Sequence, residues 1–254
     1  MSALARALWA ERLKLRGTLA AWMCGVAPAV VVGVYVLQIS FSNFPASRPP
    51  MPGDEAWAAL VQAVLVLWAF LMLPLLVTLQ AALLAGLDHQ GNQWKHLLAL
   101  APPRHVHYLA KLLALATLVG LSQLAMFALL PLGGAVLMLA KPAFGLAGTP
   151  PWGLLARELG EIYAACLLLV ALHTWIALRW RSFAVAVGVG MGATVMGFLI
   201  GQSGRFGPWY PWSLPMQTLA SDPAVAPQVV AYSALAAVAV AALGLAWVRR
   251  CEPA

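Results

Sequence analysis

The chain has 254 residues, 63% of them hydrophobic and only 9% charged, with a formal charge of +7. Soluble domains are about a quarter charged, and a core of this size could not hide so much apolar surface, so a soluble enzyme or a nucleic-acid-binding domain is excluded. Runs of eighteen or more apolar residues recur, which identifies a polytopic membrane protein whose positive excess reports topology rather than nucleic acid.

Residues 2–18 carry Arg6, Arg12, Lys14 and Arg16 against Glu11 alone, with Leu4, Leu8 and Leu15 on a narrow arc. This reads either as a basic helix on the membrane surface or as a plain basic anchor. The first apolar run follows basic residues and has no A-x-A-like site close behind, so it is read as a retained span rather than a cleaved signal. Six spans are predicted, at about 19–39, 56–84, 112–139, 157–178, 183–200 and 229–248. Pro28 can kink the first span. The second is longer than the roughly 30 Å apolar core, so it tilts, bends at Pro74 or protrudes.

Between the second and third spans lies the longest polar interruption, GLDHQGNQWKHLLALAPPRHVHYLAK, from Gly86 to Lys111. Trp94, Leu97, Leu98 and Ala101 fall at helical spacing, and Pro102-Pro103 ends that short helix. The chain restarts near His105 and re-enters the membrane after Lys111. Such a segment is either a handle for a soluble partner or a basic loop that only fixes topology. It holds four of the five histidines (His89, His96, His105 and His107), but only Asp88 joins them as an acid, so a solvated loop accounts for them better than a metal site.

Glu158 and Glu161 open the fourth span one helical turn apart. They fit a structural rim offset by Arg157, or a path for a cationic substrate. His173 lies deeper and reads as a hydrogen bond to a neighbouring helix or as a proton relay. In the fifth span Gly188 and Gly192, and then Gly197 and Gly201, form two G-x-x-x-G spacings suited to close helix packing. Residues 201–228, with Trp209, Tyr210 and Trp212 among five prolines, read as short interfacial or re-entrant helices. Cys24, Cys166 and Cys251 make neither a disulfide framework nor a metal spacing. No phosphate loop, H-E-x-x-H or G-x-S-x-G occurs. The few polar residues inside spans (Gln62, Thr78, Gln80, Ser122, Gln123, Thr174 and Thr194) favour an amphipathic or lipid-like substrate over ions or sugars.

With the N-terminus inside, eleven Lys and Arg fall inside and four outside. That bias, with an even span number, places both termini and the Gly86–Lys111 loop in the cytoplasm.

The residues Gly91, Trp94, Lys95, Leu97 or Leu98, Leu100, Pro102, Arg104, Tyr108 and Lys111 follow a G-(T/N)-x-W-K-x-L-x-A-L-P-x-x-R-x-x-Y-x-x-K pattern. In this respect the chain resembles ABC-2 type transporter permeases, in particular the branch with the lantibiotic and bacitracin-type immunity exporters. Asp88-His89 stand where that branch usually has a glutamate or arginine, and the proline is doubled. Glu11, Lys14, Leu15 and Arg16 resemble the family's N-terminal E-x-x-K-L-(R/K) sequence, and Pro211 to Pro215 its P-W-x-L-P run before the last span.

The resemblance implies an all-α permease of six transmembrane helices with an N-terminal interfacial helix, a cytoplasmic coupling helix and a long extracytoplasmic loop before the last span. It would be a non-catalytic subunit of an exporter in the bacterial cytoplasmic membrane, paired with a second permease copy or a paralogue. Asp88, Gly91, Trp94, Lys95, Leu98, Pro102 and Arg104 would couple it to a separate cytosolic ATPase. That partner would carry ATP and Mg, and this chain would bind no cofactor. The branch points to a hydrophobic or amphipathic cargo such as a peptide antibiotic, in self-immunity. A secondary transporter without ATPase and a non-transporting scaffold or sensor are the rival readings.

Overall fold

The computed structural model describes residues 2–42, 51–89, 103–180 and 182–250, with Asp88 and His89 described by their backbone only. Gly91, Trp94, Lys95, Leu98 and Pro102 lie outside the described residues. Among the described residues the protein is all-helical, without strands.

Helix α1 spans Ala3–Leu15 and starts where the Ser2 hydroxyl accepts from the Ala5 N–H (3.2 Å). Its last turn holds Arg12 and Lys14, the favourable sign at the negative end of a helix. The chain then turns at Gly17, whose φ of 70° suits a residue without Cβ. Thr18 caps α2 (Leu19–Phe41), which runs unbroken through Pro28.

The second span is a rod of three parts. Helix α3 (Gly53–Leu67) passes through a π-helical turn, Trp68–Met72, into α4 (Leu73–His89). Pro74 explains the turn. It has no N–H for the Phe70 carbonyl and its ring would crowd that carbonyl in a regular helix. The wider turn, closed by the Leu73 N–H on the Trp68 carbonyl, makes room.

Helix α5 covers Arg104–Ala140, 37 residues and about 55 Å long. Its first two turns, RHVHYLAK, are too polar for a hydropathy signal, so the sequence places the span start at about 112. The structure extends the helix back to Pro103, because packing on α1 supports those turns. Helix α6 (Trp152–Arg179) likewise starts before the predicted 157. Helix α7 is Phe183–Gly201, the short α8 is Leu214–Gln217, and α9 is Val225–Arg250.

Among the described residues six helices, with the α3–α4 rod as one, are long and apolar enough to cross a membrane. An even number puts α1, the start of α2 and the end of α9 at one end of the bundle, here the terminal end. The rod and α6 form its centre, with 56% and 61% of their most apolar windows buried against 17% for α9 and 22% for α7. Rings mark both levels. Trp175, Trp180 and Trp247 meet at the terminal end with the Arg179 guanidinium 6.0 Å from the Trp247 ring. Trp209 meets Tyr232 at the far end.

Close approach at glycine fixes two joints. A Cβ on Gly133 would press on Val32 and Val36 of α2, and one on Gly134 would collide with the Trp57 ring of α3. The Trp57 indole in turn donates to the Ala147 carbonyl (3.2 Å), anchoring the α5–α6 connection over the start of α3. We predict that Gly134→Ala lowers the stability of the detergent-solubilised protein by roughly 1–3 kcal/mol, measured as thermal melting. Gly160→Ala, inside α6 with open space at its Cβ, should not destabilise it, since alanine favours a helix over glycine by up to about 1 kcal/mol.

Candidate functional site

Two buried polar constellations stand out in this apolar bundle. The first lies at the terminal end. Glu11 of α1 and Lys111 of α5 are 4% and 5% exposed. Their charges meet at 3.0 Å, and the same ammonium donates to the Leu84 carbonyl of α4 at 2.9 Å. Lys14 approaches the other Glu11 oxygen at 3.2 Å. Around the pair, Ala7, Val106 and Ala110 form a small core with Ala3, Leu4 and Leu8 against them. A buried charge is tolerated only when paired and hydrogen-bonded, and here a carboxylate and a carbonyl meet the ammonium. The arrangement therefore clasps three elements. Two of them, α4 and α5, are the helices that enter and leave residues 90–102.

The second constellation lies between the spans. His173 of α6 is 1% exposed. The Trp212 indole N–H donates to its Nε2 at 3.1 Å, and the Thr78 hydroxyl oxygen lies 3.2 Å from the same nitrogen. An indole N–H only donates, so Nε2 accepts and the ring proton sits on Nδ1, leaving the imidazole neutral. The Thr78 hydroxyl hydrogen is directed to the Pro74 carbonyl (2.8 Å). Gly190 of α7 completes the contact, since a Cβ there would strike Thr78 and would stand 2.8 Å from the His173 ring. Trp212 comes from the connection between α7 and α9, at the far end. His173 lies 21 residues beyond Trp152 on α6, about 30 Å along the helix. The connection therefore folds back into the bundle. Leu214 is fully buried with Ala165, Leu168 and Val229, and Gln217 holds the Gly201 carbonyl at 2.8 Å.

The remaining residues singled out in the sequence are placed as follows. Arg104 is the exposed first residue of α5, and Asp88 lies in the last turn of α4. Glu158 is half-buried and paired with Arg157 at 2.8 Å, with Glu161 half-buried one turn on. Both stand 12 or more residues from His173 along α6, so they form no common site with it. Gly197 and Gly201 meet Trp212 and Ser213, whereas Gly188 and Gly192 face open space within the chain. Gly190, which neither spacing includes, makes the tightest approach on α7. The sequence signal for it is weak, because three alternating glycines (188, 190 and 192) allow several faces.

The buried polar side chains are mostly used up in packing. Gln80 reaches the Ala20 carbonyl and the Cys24 sulfur of α2 (3.3 and 3.4 Å), and Trp68 donates to Gln123 at 2.8 Å. Ser122, Thr174 and Thr194 bond carbonyls four residues back on their own helices. Ser233 of α9 bridges the Ala165 carbonyl and the Leu168 N–H of α6.

A family model described as ABC-2 family transporter protein matches residues 7–197 of this chain. Comparison with curated proteins and with solved structures returned no match.

Gly190→Ala is predicted to destabilise the protein by roughly 1–3 kcal/mol, and Trp212→Phe, which keeps a ring but loses the donor, by about 0.5–2 kcal/mol. Thermal melting of the full chain in detergent checks both, with Gly188→Ala as the neutral control.

Proposed function

The chain belongs to the ABC-2 transporter family, and from that premise we propose that it is the permease subunit of an ATP-driven exporter. The terminal end faces the cytoplasm of a bacterial inner membrane. There the Gly86–Lys111 segment, with Asp88, Gly91, Trp94, Lys95, Leu98, Pro102 and Arg104, docks on a separate ATPase subunit that carries ATP and Mg. This chain contributes no catalytic residue to hydrolysis.

The observation that carries the reading is the Glu11–Lys111–Leu84 clasp. It joins both helices that flank residues 90–102 to each other and to α1. A push on that segment is thereby delivered to a rod 35 residues long and to α5 together, rather than lost in a slack loop. Coupling between two sites needs such an element, whose arrangement is felt at both.

The cargo is hydrophobic or amphipathic. Support comes from the spans themselves, whose polar side chains bond neighbouring helices or their own backbone instead of lining an aqueous route. The branch resemblance points to a peptide antibiotic and a role in self-immunity. A second permease copy or a paralogue covers the outward apolar faces of α7 and α9, where Val195, Leu199, Leu235, Val238 and Leu243 are all at least 60% exposed.

The test is co-purification of tagged full-length chain from its host membranes, beside a Trp94→Ala, Lys95→Ala, Leu98→Ala variant. A stoichiometric ATPase with wild type, and its loss with a variant that melts at the wild-type temperature, is the expected result. A chain that purifies alone with the segment intact would contradict the coupling and favour a secondary transporter.

A further inference from the structure

Helix α1 has two faces of different chemistry. The inner one carries Leu4, Ala7, Leu8 and Glu11 and is spent on α5. On the outer one Arg6 and Arg12 are exposed, Trp9 and Leu13 are 51% and 47% exposed, and the exposed Arg16 follows directly as the C-cap. At 100° per residue Arg6, Trp9, Arg12 and Leu13 lie within an arc of about 120°. The only acid of the helix, Glu11, points away from that arc into the clasp, so its charged side chains are all cationic. The Arg12 guanidinium stands 5.3 Å from the Trp9 ring centroid, a cation–π distance that fixes the side chain over an apolar platform.

The position of the helix selects the partner. Only Arg16, Gly17 and Thr18 separate α1 from the first span, and Leu19 and Trp22, which follow, are 56% and 68% exposed. The face therefore sits where acyl chains give way to headgroups. Guanidinium groups bind phosphodiesters through paired N–H donors, and a basic arc flanked by Trp and Leu is the chemistry of an interfacial helix on an anionic bilayer. We infer that the outer face of α1 is a binding site for anionic phospholipid headgroups, held in register with the transport machinery by Glu11. The inference does not depend on export or on an ATPase.

The test uses the full chain in neutral detergent, with native mass spectrometry counting retained phosphatidylglycerol against phosphatidylcholine of the same acyl chains. Wild type should prefer phosphatidylglycerol, and each arginine replaced should weaken that binding about five-fold. Arg6→Gln/Arg12→Gln/Arg16→Gln should then abolish the preference, and Arg249→Gln/Arg250→Gln at the other terminus should keep it. Arg12→Gln alone gives a graded step if the triple variant is poorly folded. Millimolar glycerol phosphate should not displace the lipid. Equal retention of both lipids, an unchanged preference in the arginine variants, or displacement by glycerol phosphate would overturn the site. The first of these would leave the face to an acidic protein partner.

Discussion

A lysine ammonium with only 5% exposure, at the base of a membrane helix, is the constraint around which the terminal end is built. Such a charge has to be met by an opposite charge and by hydrogen-bond acceptors, or the helix carrying it shifts until water does so. Lys111 finds its acceptors on two different elements, the Glu11 carboxylate of α1 and the Leu84 carbonyl of α4. The position of α1 follows, since its small residues must let it close on Val106 and Ala110 before Glu11 can reach. The first two turns of α5 follow too. They are polar and project beyond the apolar core, and α1 supplies the packing that keeps them helical.

Deeper in the bundle the same economy of polar groups holds. His173 is fixed in its neutral form by an indole donor from a connection that folds back between the helices, and Gly190 leaves the space that the ring and Thr78 occupy. Four elements meet at that point: α4, α6, α7 and the α7–α9 connection. On the proposed coupling, a displacement of the rod driven from the clasp would reach α6, α7 and the far-end connection through these contacts at Thr78. The π-helical turn ahead of Pro74 lies between that junction and α3.

Much of this was legible in the sequence. Hydropathy located six spans, because twenty apolar residues in a row admit little else, and the motif spacing of Gly91 to Lys111 pointed to the family. The helix starts at Arg104 and Trp152 were hidden, since RHVHYLAK and WGLLA owe their conformation to packing and not to apolar length. The Glu11–Lys111 pair was hidden as a pair, because 100 residues separate partners that pattern reading treats one by one. The glycine spacings of α7 drew attention to the right helix, yet a spacing rule cannot tell which of Gly188, Gly190 and Gly192 meets a neighbour. Trp212 read as an interfacial ring by its type, and only the fold shows its N–H turned inward to a histidine. The docking role proposed for residues 90–102 rests on their motif alone.

The most direct test of the account is a double-mutant cycle on the clasp, with thermal melting of the full chain in lipid nanodiscs for Lys111→Met, Glu11→Gln and the pair together. Breaking a buried ion pair from one side leaves an unmet charge and costs roughly 3–5 kcal/mol, whereas replacing both partners is often nearly neutral. The account predicts that Lys111→Met alone is strongly destabilising and that adding Glu11→Gln restores more than half of the loss. Single variants as stable as wild type, or losses that simply add, would contradict a clasp that holds the two helices to α1.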